Sequence, residues 1–183
     1  MLRALPGVCQ TLHLTETDST QTVARLLAEQ GAPDGTLVWA DRQRRGRGRL
    51  KRSWQSKPGG LYATLILRPS LPPRRLAEVG LLAGAAVAAA LARHAGVRTL
   101  VKPPNDVLAL GADGRRRKLS GILCEAAGSQ SRLDWLLLGL GVNVDNAVSL
   151  PGATSLRRLT GRSWEVEGVL RAVLAELRRR LPR

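Results

Sequence analysis

The sequence predicts an α/β (α+β) domain in which a mixed, mostly antiparallel sheet is flanked by helices. Three observations carry that prediction. Short apolar runs such as residues 36–41 and 61–67 are bounded by Gly, Pro and Asp, as strands are. Two longer segments, residues 74–94 and 166–181, carry helical patterns. Hairpin connections outnumber strand–helix–strand units, so most neighbouring strands run antiparallel. The 183 residues suffice for one domain with a core, and a 44% apolar content excludes a disordered chain. With no Phe and one Tyr, that core rests on Leu, Val and Ala.

Each element follows in order. Ser19 or Thr20 can cap a helix whose apolar face holds Val23, Leu26 and Leu27 and which stops at Gly31. Residues 36–41 form a strand that runs into an Arg-Gly loop. Residues 61–67 form a second strand, closed by the proline-rich stretch 69–73. Residues 74–94 form a long buried helix ending at Gly96. A short strand, 99–102, enters the turn Pro103-Pro104-Asn105-Asp106. Residues 107–110 and 119–126 pair as a hairpin whose tip is Gly111-Ala112-Asp113-Gly114. Arg115, Arg116 and Arg117 beside that tip read as a solvated charge run. Residues 134–140 add another strand. Val166, Val169, Leu170, Val173, Leu174, Leu177 and Leu181 make a helical stripe, with Arg178 to Arg180 complementing the dipole at its end.

The net charge of +15 first points to nucleic acid. Two features argue against it. Aromatic residues for base stacking make up 3% of the chain. The charge is mostly Arg spread along an Ala-, Leu- and Gly-rich sequence, and the lysines are Lys51, Lys57, Lys102 and Lys118. A basic surface still attracts an anionic nucleotide or an acidic protein. Cys9 and Cys124 are too far apart for a zinc motif, and no disulfide framework is expected. His13 and His94 sit in unrelated contexts, which gives a His-centred triad or metal site little support. The first 14 residues lack a secretory apolar region. The longest apolar stretch, 81–92, is too short to span a bilayer. A cytoplasmic protein without a membrane partner is expected.

The chemistry concentrates in five segments. The run from Gln43 through Gly46-Arg47-Gly48-Arg49 to Arg52-Ser53-Trp54 follows a strand. Gly lets the backbone approach a ligand, and Arg offers a planar fork to phosphate or carboxylate. The same run also suits an RGG-like nucleic-acid segment or a solvated basic loop. Asp18-Ser19-Thr20-Gln21 puts free N–H groups and hydroxyls at a helix start, for an anion or for ordinary capping. Lys102-Pro103-Pro104-Asn105-Asp106 places a cation, an amide and a carboxylate on one turn. In Lys118-Leu119-Ser120-Gly121-Ile122-Leu123-Cys124-Glu125 a lysine opens an apolar strand. Gly139-Leu140-Gly141-Val142-Asn143 lacks the third glycine of a dinucleotide fingerprint, and its glycines suggest a wall for a flat ligand.

These five segments, in this order over about residues 15–145, resemble the catalytic domain of biotin protein ligases. The resemblance implies a class II synthetase-like biotin/lipoate ligase catalytic fold. It implies that biotin and ATP form biotinyl-5′-AMP with Mg²⁺, and that the biotinyl group passes to a lysine of a biotin carboxyl carrier protein. It implies Lys118, Arg47, Arg49 and Asp106 as catalytic residues, with Asp106 accepting the proton of the incoming amine. Biotin would be held by Ser19, Thr20, Gln21, Gln43, Gly46, Arg47, Gly48, Arg49, Lys118, Gly121, Gly139 and Gly141, the last three leaving room for its ring and chain. The adenylate would meet Arg47, Arg49, Arg52, Trp54, Asn105, Lys118 and Asn143. No protein-built metal site is expected; Mg²⁺ would bridge triphosphate oxygens.

The sequence departs from the family pattern in three ways. Pro103 stands where the family usually has Trp, and the stretch between Asp106 and Lys118 is extended. Residues 1–183 read as a single catalytic domain, with no N-terminal DNA-binding domain and no C-terminal SH3-like domain, so no DNA partner is expected. A sheet edge can pair with a second copy, which admits a homodimer. Two other functions compete. A lipoate or octanoate transferase of the same superfamily would use a similar lysine but generally lacks the Arg-Gly loop with its Trp. A catalytically weak biotin-binding protein would keep the pocket alone.

Overall fold

The computed structural model describes residues 4–182. Residues 1–3, which belong to the N-terminal segment discussed above, and residue 183 lie outside the described residues. Seven strands form one mixed sheet: β1 (Gln10–Thr17), β2 (Thr36–Gln43), β3 (Leu61–Leu67), β4 (Thr99–Lys102), β5 (Asp106–Leu110), β6 (Arg116–Gly128) and β7 (Leu133–Val142). Their order is β1-β2-β3-β7-β6-β5-β4. Only β1 and β2 pair in parallel. The expected sheet is therefore present, with one addition. β1 escapes a reading of the sequence because it is an edge strand with mostly exposed residues, and its apolar alternation is limited to Leu12 and Leu14.

The central strand β7 shows the opposite pattern. Leu136, Leu137 and Leu138 are consecutive and fully buried because helices cover both faces of the sheet. Helix α1 (Thr20–Glu29) lays Ala24 and Ala28 against Val38, Ile66, Trp135 and Leu137 on one face. Arg68 ties down the far end of α1, donating to the carbonyls of Ala28 at 2.8 Å and Ala32 at 2.9 Å. These carbonyls lie at and beyond the helix end, where α-helical partners run out; Ala28 also accepts from the Gly31 N–H at 3.1 Å. The other face carries α2 (Leu76–Ala95) and α4 (Val166–Arg180), joined by the short α3 (Leu156–Thr160) that the sequence did not announce. Gly96 ends α2 at φ +68°, a left-handed conformation that Gly adopts without strain.

Residues 73–95 are long and apolar enough to cross a membrane. In the fold, Ala83, Ala86, Val87, Ala90 and Leu91 of this segment are buried in the main core. The segment thus reads as a core helix, longer than the 81–92 run alone suggested. The hairpin also differs from expectation. β6 begins at Arg116, and Arg116 and Arg117 pair with Leu110 and Ala109. Arg117 further binds Asp113, at 2.9 Å to Oδ1. The charge run is thus partly strand, its exposed side chains held on the edge of the β5–β6 ladder.

On α4 one charged side chain is buried. Glu176 is 3% exposed and is bound by Arg93, Arg179 and Arg180. Burial opposes its charge, but the Arg180 hydrogen bond and the Arg179 and Arg93 charges outweigh burial and hold the carboxyl below its usual range. Glu176→Gln is expected to cost about 1–2 kcal/mol at neutral pH. A lowered carboxyl pKa contributes stability above the ordinary value of 4.5 and loses it as pH falls through the folded value. Urea unfolding at pH 7 and pH 3 checks this; the gap between wild type and variant should narrow in acid.

Candidate active site

The start of α1, the loop after β2, the β4–β5 turn and the middles of β6 and β7 enclose one cleft of about 340 Å³. The sheet order explains the meeting. β3, β7 and β6 are neighbours, so Thr64, Gly139, Gly141 and Gly121 share one surface. α1 and the β2 loop close over it. Ser19, Thr20, Gln21, Gln43, Arg47, Gly48, Arg49, Arg52, Trp54, Asn105, Asp106, Lys118, Gly121, Gly139 and Gly141 all line the cleft. Two expected site residues do not. Gly46 packs inside the loop, where an added Cβ would lie 2.5 Å from the Trp54 carbonyl oxygen. Asn143 lines a smaller adjoining cavity of about 100 Å³, which Trp54 and Lys118 also border.

One end of the cleft is neutral and polar. Gln43 Oε1 accepts from the Thr20 N–H at 2.8 Å and from its hydroxyl at 3.2 Å. Thr20 and Thr64 hydroxyls lie 3.0 Å apart, and Thr64 donates to Gln21 Oε1 at 3.1 Å. Gln43 in turn donates to Ser56 at 2.7 Å. Ser19 stands at the expected N-cap position, yet its hydroxyl makes no capping bond. Ser19 Oγ and Gln21 Nε2 are buried without a hydrogen-bond partner among the described residues. Buried polar atoms are normally satisfied, so this pair, lining the cleft, is available to a ligand's polar group. A Cβ at Gly139 would fall 2.6 Å from Gln21 Oε1, so Gly is required for Gln21 to reach its place.

The other end is cationic. Arg47, Arg49, Arg52, Lys102 and Lys118 line it, with Asp106 as the carboxylate. Lys118 Nζ lies 2.7 Å from Asp106 Oδ1 and 5.3 Å from the centre of the Trp54 ring. Asn105 holds the turn by donating to the Ile122 carbonyl at 3.1 Å, and Arg49 reaches Asn105 Oδ1 at 3.5 Å. The Gly121 and Gly141 wall is occupied by the protein's own Trp54. A Cβ at Gly141 would lie 2.6 Å from the indole, and one at Gly121 would lie 2.9 Å from it. The open space expected at these two glycines thus takes the indole, which divides the cleft from the adjoining cavity. Burial pushes the Cys124 thiol up to about 12, a nearby Arg49 charge opposing it, so it stays protonated at neutral pH.

Thr64 and Lys102 line the cleft although neither was assigned to the site, and Glu125 supports it from outside. Thr64 sits mid-strand in an apolar run, where a single buried hydroxyl is the only signal. Glu125 grips Arg47 from the outer side of the loop, at 2.6 Å and 3.3 Å.

A seven-stranded mixed sheet thus carries a glycine-walled cleft, neutral at one end and cationic at the other, whose chemistry suits an acid beside a phosphate. The profile of the biotin/lipoate A/B protein ligase family matches residues 14–143. Bifunctional ligase/repressor BirA of Bacillus subtilis is 39% identical over 163 residues, covering 85% of this chain and 49% of that protein. Biotin–[acetyl-CoA-carboxylase] ligase of Paracoccus denitrificans is 36% identical over 166 residues, covering 86% of this chain and 67% of that protein. Biotin protein ligase from Aquifex aeolicus, solved with biotin and ATP, superposes with a TM-score of 0.76 at 34% identity, covering 94% of this chain and 70% of that one. The chain belongs to the biotin/lipoate A/B protein ligase family, and its matched region is a biotin protein ligase catalytic domain. It spans about half the length of the Bacillus relative, 49%.

Proposed function

We propose that this chain adenylates biotin with ATP and transfers the biotinyl group to a lysine of a biotin carboxyl carrier protein. One observation carries the proposal: a single cleft joins the unpartnered Ser19 Oγ and Gln21 Nε2 to a cationic end centred on Lys118. Biotin has matching ends. Its ureido ring is a neutral group with donors and acceptors, and its chain ends in a carboxylate. A dithiolane or an alkyl tail would leave both buried polar groups unpaired, which disfavours lipoate and octanoate.

The residues account for both half-reactions. Two anions must meet, and Arg47, Arg49 and Lys118 offset their repulsion and the charge growing at phosphorus. A carboxylate oxygen of biotin attacks the α-phosphorus, the bond to the bridging oxygen breaks, and pyrophosphate leaves with the electron pair. In the second step the carrier amine attacks the acyl carbon, AMP leaves, and the amine proton passes to Asp106. Trp54, beside the adjoining cavity and Asn143, offers a flat surface to the adenine.

Among the described residues no three His, Cys, Asp or Glu side chains gather as a metal site. Asn105 and Asp106, oxygen donors at the cationic end of the cleft, would help hold a Mg²⁺ ion, which would supply charge neutralisation at the phosphates. Free Cys9 and Cys124 fit a reducing, cytoplasmic setting. The sheet ends at β1 and β4, the two edges where a second copy can pair.

The test is mass spectrometry of a carrier domain incubated with the protein, biotin, ATP and Mg²⁺. One added biotinyl group on one lysine is expected. An unmodified carrier, with tight biotin binding by calorimetry, would favour the biotin-binding protein instead.

A further inference from the structure

The Arg-Gly loop is tethered at its start by Arg44, which binds Asp18 at 2.7 Å and Glu16 at 3.3 Å, and farther out by Arg47. Arg47 leaves the loop and meets Glu125 on β6 end-on, Nη2 to Oε1 at 2.6 Å and Nη1 to Oε2 at 3.3 Å. Arg25, from α1, meets the same carboxylate at 3.0 Å. Glu125 therefore joins three elements: helix, strand and loop. Its side chain is 20% exposed, against 40% and 41% for the two arginines, so it is the buried member of the triad. Charge-assisted pairs of this geometry hold a side chain in one orientation.

The orientation matters because of what remains free. An end-on pair uses the two terminal nitrogens and leaves the side-on fork, Nε–H and the outer Nη2–H. That fork makes no hydrogen bond among the described residues. Arg47 lines the cleft, whereas Glu125 lines the outer side of the loop but not the cleft. The stem of the loop is held by its own backbone, Gly48 N–H to the Arg52 carbonyl and Trp54 N–H to the Gly46 carbonyl, both at 2.8 Å, but its tip is strained. Leu50 and Lys51 at its tip adopt φ +54° and +60°, and Leu50 is 81% exposed.

We infer that Glu125 is a positioning residue: with Arg25 behind it, it fixes Arg47 as a strut across the loop and presents the second fork of the guanidinium to the ligand's phosphate. Glu125 itself touches neither substrate. Its carboxylate prepays the ordering of Arg47 and the loop before the nucleotide arrives. The effect on catalysis rests on the ligase reading above; the effect on the loop does not.

The experiment therefore has two readouts on wild type, Glu125→Gln, Arg47→Ala, the double variant and Arg25→Ala. The first is trypsin cleavage without ligand, with cuts after Arg49 and Lys51 identified by mass spectrometry. Glu125→Gln is near-isosteric and should leave the melting transition close to wild type, while loop cleavage accelerates on the order of tenfold. Arg25→Ala should move cleavage the same way by less. The second readout is biotin-dependent ATP–pyrophosphate exchange. Glu125→Gln should raise KM for ATP on the order of tenfold with a smaller change in kcat, and should add nothing in the Arg47→Ala background. Unchanged loop cleavage, or full additivity with Arg47→Ala, would overturn the inference. Absence of exchange in wild type would instead overturn the ligase reading, and the cleavage readout would still decide the strut.

Discussion

Replacing Lys118 with Ala is expected to reduce biotin-dependent ATP–pyrophosphate exchange by about a hundred- to a thousandfold while the protein stays folded. The amine stands at the meeting point of the site. It lies 2.7 Å from Asp106, above the Trp54 ring at 5.3 Å, and in contact with both the cleft and the adjoining cavity. Among the described residues no other lysine borders both spaces: Lys102 lines the cleft alone. Lys118→Arg should rescue little, because a planar fork cannot replace a compact ammonium between a carboxylate and an indole. Its side chain is 34% exposed, so its loss should disturb stability little. Exchange kinetics with thermal unfolding separate the two effects. Near-normal exchange in the Ala variant would remove Lys118 from the chemistry.

The second large effect is expected at Gly141. A side chain there meets Trp54 at 2.6 Å, 2.8 Å and 2.9 Å, contacts with a rigid ring rather than a flexible tip. Gly141→Val must drive the indole off its seat. Overpacking of this kind costs about 1–3 kcal/mol of stability. The larger change should be in KM for ATP, a rise on the order of ten- to a hundredfold, because the displaced indole no longer borders the cavity with Asn143. Exchange rates across an ATP titration check this. An unchanged KM for ATP would mean that Trp54 plays no part in nucleotide binding.

Much of the site was legible in the sequence because its chemistry sits in short contiguous runs. Gln43 to Trp54, Lys118 to Gly121 and Gly139 to Gly141 each bring their own backbone geometry, and the sheet order needs only to set them side by side. What was not legible depends on distant partners. Gly121 and Gly141 read as room for a ligand, whereas their neighbour is the protein's own Trp54. Asn143 follows Gly141 by two residues yet faces another cavity, because the Trp54 indole stands between the two spaces. Glu125 ends the motif on β6, but its partners lie 78 and 100 residues away in sequence. The fold shows the same division. The buried β3 and β7 carry continuous apolar runs, whereas β1, exposed along an edge, carries none. α3 is a five-residue turn of helix, too short for a periodic signal.

The most direct measurement is pyrophosphate exchange into ATP with biotin, lipoate and octanoate offered separately. Exchange with biotin alone is expected, since of the three acids biotin alone carries ring donors and acceptors to offer the unpartnered Ser19 Oγ and Gln21 Nε2. Exchange with lipoate or octanoate at a comparable rate would contradict biotin as the acid this cleft selects.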